Sequence, residues 1–189
     1  MLFNRIRKKA FRSAKRISRG RFHMIALNVT DIKNFMAQFL IGKTFDGFQL
    51  SEGSVTTYCT FSIDGTWQRD FLDPEKTNIL ADLAYTPWPR LKEYCFSIIK
   101  GKTTPLAFKF VFLLPNEKIP DFLAASSINH EADEIYGLYL NITYKDGQLR
   151  LTTGTSLRSF TMDRTIDNGW DLWIMSFLKK NGIATEQAG

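Results

Sequence analysis

Between Ile135 and Asp163 the chain reads IYGLYLNITYKDGQLRLTTGTSLRSFTMD. Leu138, Leu140, Ile142 and Tyr144 alternate with other residues, the period-two signature of a strand with one buried face. Asp146-Gly147 supplies the two positive-φ positions of a type I′ turn. A two-residue turn sets Tyr144 opposite Leu149, Ile142 opposite Leu151 and Leu140 opposite Thr153. The apolar residues of both strands then share one face, and a slip of one residue would expose them all. Turn chemistry and pattern therefore specify one register. Gly154-Thr155 permits a second turn and Phe160 and Met162 suit a third strand, so the stretch predicts an antiparallel sheet with one wet face.

Upstream, Ile25, Leu27 and Val29 alternate as a strand, and Thr30 or Asp31 can cap the helix that follows. That helix carries Ile32, Phe35, Met36, Phe39 and Leu40 as an apolar stripe, and Gly42 stops it. Phe45–Ser51, Ser54–Ile63 and Trp67–Leu72 read as three strands, with Glu52-Gly53 turning the first pair so that Leu50 faces Val55. A three-residue loop at Asp64-Gly65 would pair Ile63 with Trp67 and Cys59 with Phe71. Asp73–Thr86 suggests a short helix through Ile79, Leu80 and Leu83. TPWPR opens a clearer one with the stripe Leu91, Tyr94, Cys95, Ile98 and Ile99, ended by Gly101. Leu106–Leu114 is a dense apolar strand expected at the sheet centre. Asn116 can cap a helix through Ile119, Phe122 and Leu123, with Pro120 in its first turn. A final helix carries Trp170, Trp173, Ile174, Phe177 and Leu178 and closes at Asn181-Gly182.

Charge divides the chain more sharply than its total suggests. Residues 1–23 hold nine of the 25 Lys and Arg and no acid, namely Arg5, Arg7, Lys8, Lys9, Arg12, Lys15, Arg16, Arg19 and Arg21. The remainder has 16 basic against 19 acidic residues, a net of −3. Coiled as a helix, the arm stacks Phe3, Ile6, Ala10, Ala14 and Ile17 on one side, which suits an anionic membrane surface or nucleic acid. Being Arg-rich and acid-free it also looks like an organelle presequence. The competing reading starts the native protein at Met24, with purine-rich codons for Arg19-Gly20-Arg21 serving as a ribosome-binding site. The expected organisation is a basic arm over 1–23, one globular α+β domain over 24–183 and a frayed tail over 184–189. At 189 residues and 44% hydrophobic, the chain is long enough for that domain to bury a core of its own. No apolar run reaches the ~18 residues of a membrane span. Cys59 and Cys95 stand in no metal or redox spacing, and a reducing, cytoplasmic compartment is expected.

Two segments align without a gap: IALNVTDIKNFM (Ile25–Met36) and FLLPNEKIPDFL (Phe112–Leu123). Each is a strand feeding a helix, followed by an antiparallel meander with an Asp-Gly turn. The chain thus reads as β-α-β-β-β twice, with Asp73–Lys102 inserted. Divergent duplication and chance agreement of two amphipathic units account for this equally. The order resembles a single domain of the DNA sliding clamps, which are built from two such halves, and the local likeness is best at LYLNITYKDGQLRLTTGTSL (Leu138–Leu157). From Met24 to about Met162 the resemblance implies antiparallel sheets in a clamp-like α+β fold, with an inserted and a C-terminal helix added. Clamp helices line a DNA hole with positive charge. Here Lys33 and Lys43 on one helix meet Glu117, Lys118 and Asp121 on the other, and the charges nearly cancel. As a whole, from MIALNVTDIKNF through WPRLKEYCFSIIKGK to GLYLNITYKDG and TTGTSLRSFTMDRT, the chain looks like an uncharacterised bacterial family of unknown function. That likeness implies a cytosolic bacterial protein and supplies no activity.

No catalytic, cofactor or metal constellation stands out. His23 and His130 lie in the arm and in a loop, and Glu131, Asp133 and Glu134 beside His130 read as a solvated acidic run. Thr152–Ser156 is rich in hydroxyls that could cradle an anion, but no P-loop lysine or helix follows it, so a plain strand connection is expected. Cys95, on an apolar stripe, reads as a buried inert thiol, and Trp170 and Trp173 as core. The expected function is a non-enzymatic binding module with an unidentified protein partner. The alternatives are nucleic-acid attachment through residues 1–23, or an enzyme whose carboxylates meet only in three dimensions. A smooth apolar groove would point to the module, and a pocket of mixed Asp, Lys and Thr to the enzyme.

Overall fold

The Asp146-Gly147 turn forms as its chemistry requires in the computed structural model, which describes residues 25–68, 71 and 83–188. Asp146 (φ 51°) and Gly147 (φ 74°) both occupy the left-handed region, the pair of positive angles a type I′ turn needs. The strands they join, β6 (Ile135–Lys145) and β7 (Gln148–Leu157), pair Tyr144 with Leu149, Ile142 with Leu151 and Leu140 with Thr153, the register expected. β7 runs straight through Gly154-Thr155, however, and no third strand follows: Phe160 and Met162 are 85% and 88% exposed.

Around this hairpin lie β1 (Ala26–Val29), β2 (Gln49–Thr56), β3 (Thr60–Asp64), β4 (Thr86–Pro87), β5 (Ala107–Leu113) and β8 (Thr185–Gln187). The described helices are α1 (Ile32–Leu40), α2 (Trp88–Ile99), α3 (Ile119–Ala125) and α4 (Thr165–Lys180). This is a mixed α+β fold with the inserted helix α2 and the C-terminal helix α4 in place. All strands join one antiparallel sheet in the order β3-β2-β5-β6-β7-β1-β8, with β4 pairing β2. β5 stands between β2 and β6, and its Phe108, Phe110 and Phe112 carry the core face.

The first meander departs from expectation. Glu52-Gly53 is not a turn but the middle of β2, and the real turn is at 57–59, giving Gly53–Ile63 and Thr56–Thr60 pairs. Leu50 and Val55 are five residues apart, an odd spacing that would put them on opposite faces of a regular strand. A bulge between Leu50 and Glu52 absorbs one residue, so Leu50 opposes Phe112 and Val55 opposes Phe108 on the same face. A turn and a bulge solve the same parity problem, which is why the pattern misled. Gly65 serves the bulge too. A Cβ there would stand 1.8 Å from the Leu50 carbonyl oxygen, and its own N–H and C=O bond Ser51 and Thr86 at 3.0 and 2.8 Å. The expected pairs Ile63–Trp67 and Cys59–Phe71 therefore do not form. The short helix expected over 73–86 lies outside the described residues up to 82, and its end is extended, with Tyr85 bridging Thr66.

Helix chemistry follows the sequence more closely. The Asp31 carboxylate accepts the Asn34 N–H at 2.9 Å and caps α1. α2 starts with Pro89 in its first turn. Along its stripe Cys95 is buried while Tyr94 is 68% exposed, outside the core. α3 buries Ile119, Phe122 and Leu123 as expected, but Lys118 precedes it without a side-chain cap, because residues 116–118 form a 3-10 turn. Phe39 stacks on Trp88 at 4.7 Å and meets Phe110 at 5.2 Å, and the Trp88 indole N–H donates to the Phe39 carbonyl at 3.1 Å. On α4, Trp170, Ile174 and Leu178 are buried, whereas Trp173 and Phe177 are half-buried.

The tail over 184–189 is expected to fray, yet residues 184–188 extend the sheet. β8 pairs with β1 through Leu27–Gln187, Asn28–Glu186 and Val29–Thr185, and Thr30 N–H bonds the Ala184 carbonyl at 3.1 Å. β1 would otherwise present a row of unpaired backbone groups. Thr185–Gln187 meets that need with backbone alone, so the segment shows no apolar alternation to betray it. Among the described residues no helix is long and apolar enough to cross a membrane.

Candidate functional site

The apolar stripe of α1 is wider than the core it covers. Phe35, Phe39 and Leu40 are buried, whereas Ile32, Met36, Ala37 and Ile41 turn toward α2 and line a cleft of about 360 Å³. Phe96 and Ile99 of α2 form the facing wall, and the loop Lys100–Pro105 closes one end. The floor is the pair Phe108 and Tyr144, from β5 and β6, stacked at 5.1 Å with 17° between ring planes. Polar side chains at the site are few: Lys100, Thr103 and Thr104 from the loop, with the Tyr144 ring below. The Lys100 ammonium sits over the Phe96 ring, 5.5 Å from its centre, a cation–π contact that keeps the charge at the mouth.

The walls are held in place by polar ties on both flanks of α1. On one side Lys92 of α2 donates to the Gly42 carbonyl at 2.7 Å and to Asp46 at 2.6 Å. The Gly42 carbonyl follows the end of α1, where backbone acceptors lack partners within the helix. On the other side Asn34 donates to the Gly182 carbonyl at 3.1 Å and Gln38 to the Asn181 carbonyl at 2.9 Å, both at the end of α4. Closing α1 onto α2 would pull Asn34 and Gln38 away from their acceptors at the end of α4. The cleft is preformed.

The other candidates resolve into structural roles. His130 lies between two carboxylates, with Nδ1 2.8 Å from Glu134 and Nε2 2.9 Å from Asp163. Bonds to both, Glu134 first, raise the His130 pKa, since each favours the imidazolium. Asp163 is held down at about 2, mainly by hydrogen bonds from Thr165 and then by His130. The acidic run is thus more than a solvated loop: Glu134 and Glu131 form a capping box around a 3-10 turn, and His130 pins that turn to the start of α4. Asp163, 33 residues from His130, left no signal in the sequence. Among the described residues no three His, Cys, Asp or Glu side chains gather as a metal ion would need.

Thr152–Ser156 lies within β7, not in an anion-binding loop. Two of its hydroxyls are committed to α4, Thr153 donating to the buried Asp171 and Thr155 donating to Asp167. Cys95 is buried, and burial pushes its thiol up to about 12, so it is inert at neutral pH. Arg5, Arg7, Lys8, Lys9, Arg12, Lys15, Arg16, Arg19 and Arg21 all lie outside the described residues. Sequence reasoning did not single out the cleft. The signal available was an apolar residue too many: Ile41 continues the α1 stripe past its last turn and is 69% exposed.

A model of a family of unknown function (DUF5721) matches residues 38–186, which takes in the end of α1, α2 to α4, strands β2 to β7 and the start of β8. No curated protein and no solved structure matches the chain.

Proposed function

The chain belongs to this family of unknown function, and we propose that it is a non-enzymatic binding module that seats an apolar segment of a partner protein between α1 and α2. The observation that carries this reading is the preformed cleft of about 360 Å³ with an almost wholly apolar lining. That volume lies at the lower end of the range of ligand pockets, roughly 300–1,000 Å³. Filling it releases about a dozen waters at ~30 Å³ each from apolar walls, a favourable exchange. The lining supplies no carboxylate, imidazole or thiol; its titratable side chains are Lys100, drawn over the Phe96 ring, and Tyr144, stacked on Phe108. Where carboxylates and an imidazole do converge, at His130, both ring nitrogens are occupied by intramolecular bonds.

The test is selection of peptides from a random display library on the intact protein, followed by measurement on Met36→Asp. That variant places a charge on the cleft wall at a half-buried position. Selected peptides are expected to lose roughly tenfold or more in affinity, the loss of one apolar anchor. Peptides that bind the variant as well as the native protein would overturn the reading. A second reading, nucleic-acid attachment through residues 1–23, is favoured by their nine basic residues against a remainder of net −3. It requires duplex DNA binding that weakens steeply with salt and disappears from protein beginning at Met24.

A further inference from the structure

Beyond residue 23, the mouth of the cleft and the rest of the chain carry opposite charge. Beyond residue 23 the chain is net −3, with 16 basic against 19 acidic residues. The two segments that frame the mouth, 31–43 and 100–104, carry Lys33, Lys43, Lys100 and Lys102 against one acid, Asp31. Asp31 is engaged in capping α1. All four lysines are exposed, and among the described residues none is ion-paired; the lysines that are, Lys92 and Lys109, lie elsewhere. Lys100 thus lines the apolar hollow, and three further exposed lysines stand on the two segments that contribute to its walls. Charge of one sign over low-dielectric walls focuses the field into the opening.

We infer that the cleft selects partner segments whose apolar anchor residues are flanked by carboxylates. This rests on the binding-module reading above. The apolar anchors enter between Met36, Ile99 and the Phe108–Tyr144 floor, and flanking Asp or Glu side chains meet Lys33, Lys43, Lys100 and Lys102. A protein segment fits better than an acyl chain because the apolar surface does not stop at the mouth. Ile41 lines the cleft while 69% exposed, and Leu106, next to the lining Pro105, is 68% exposed. A backbone laid across the opening covers these residues as its side chains fill the hollow. A single enclosed chain leaves them wet.

The experiment uses three synthetic peptides with the same Leu and Phe anchors, flanked by Glu, by Gln or by Lys, and decanoate as a small-molecule probe. Affinities are measured on the full chain by fluorescence polarisation, with decanoate tested as competitor and by calorimetry. The Glu-flanked peptide is expected to bind roughly tenfold tighter than the Gln-flanked one, and the Lys-flanked one weakest. The gap should shrink at ~0.5 M salt, where exposed charges are screened. It should shrink likewise in the Lys100→Gln/Lys102→Gln protein, whose altered side chains are exposed and whose melting midpoint should hold. Equal affinity for all three peptides, lost in Met36→Asp, would overturn the charge selection and leave the cleft reading standing. Binding of decanoate with none of the peptides would overturn both, as would binding of neither.

Discussion

α1 and α4 carry the same kind of apolar stripe against the same face of the sheet, yet the two stripes end differently. On α4 the stripe is consumed. Trp170, Ile174 and Leu178 are buried, Trp173 stacks on Trp170 at 5.1 Å, and Phe177 continues the stack at 5.6 Å. Its polar groups are committed as well: the Trp170 indole N–H donates to the Tyr139 carbonyl at 2.8 Å, and Asp171 accepts from Thr153. On α1 only part of the stripe is consumed. Phe35 and Phe39 sit in the aromatic core, while Ile32, Met36 and Ile41 face an open cleft. Periodicity therefore reports how much apolar surface a helix carries, not what covers it. The uncovered remainder is where binding becomes possible.

The largest effect that would break this contrast is a deletion in the consumed stripe. Trp170→Ala removes a fully buried ring and the donor to Tyr139, and should cost ~3–5 kcal/mol in urea unfolding. Met36→Ala, on the cleft wall, should cost under ~1.5 kcal/mol, because the side chain is already half-exposed. Similar losses at the two positions would erase the distinction. Next in size is Thr153→Val, nearly isosteric, which removes a donor to buried Asp171 and should cost ~1–3 kcal/mol. A variant as stable as the native protein would mean that the hydroxyl is dispensable to the α4 seam.

A smaller effect sits where α4 begins, and pH reveals it. The His130 pKa is raised in the folded protein, so its contribution is fully present below the unfolded value of ~6.5 and is lost as pH rises through the folded value. Asp163 runs the other way. Held at about 2, it contributes fully above ~3.9 and loses that contribution as pH falls toward about 2. The melting midpoint of the native protein should exceed that of His130→Gln at pH ~5.5, and the difference should fade by pH ~9. A difference that does not change across that window would mean that the His130 charge does not hold the 3-10 turn to the start of α4. Smallest of all on stability is Ile41→Ser, within about 0.5 kcal/mol because the side chain is exposed. It should still weaken peptide binding several-fold, which separates the open stripe from the consumed one most cleanly. Unchanged affinity would take Ile41 out of the proposed binding surface.

What the amino-acid order determines by itself is everything local chemistry can dictate. Asp146-Gly147 selects a turn, the turn selects a register, and the alternation of Leu140, Ile142 and Tyr144 agrees with it. Asp31 caps α1 and Pro89 starts α2 for reasons confined to one helical turn. The tertiary structure decides whatever depends on a distant partner. Whether Glu52-Gly53 turns or bulges depends on Phe108 and Phe112 of β5 across the sheet, which reward either device alike at the level of pattern. Whether Thr185–Gln187 frays depends on the open edge of β1, more than 150 residues upstream, as in the Thr30–Ala184 bond. His130 finds Asp163 only through the fold. The cleft belongs to this second class: its wall residues are ordinary members of two amphipathic helices. Whether they are covered depends on how closely α1 and α2 approach, and the Lys92–Asp46 and Gln38–Asn181 ties hold that spacing.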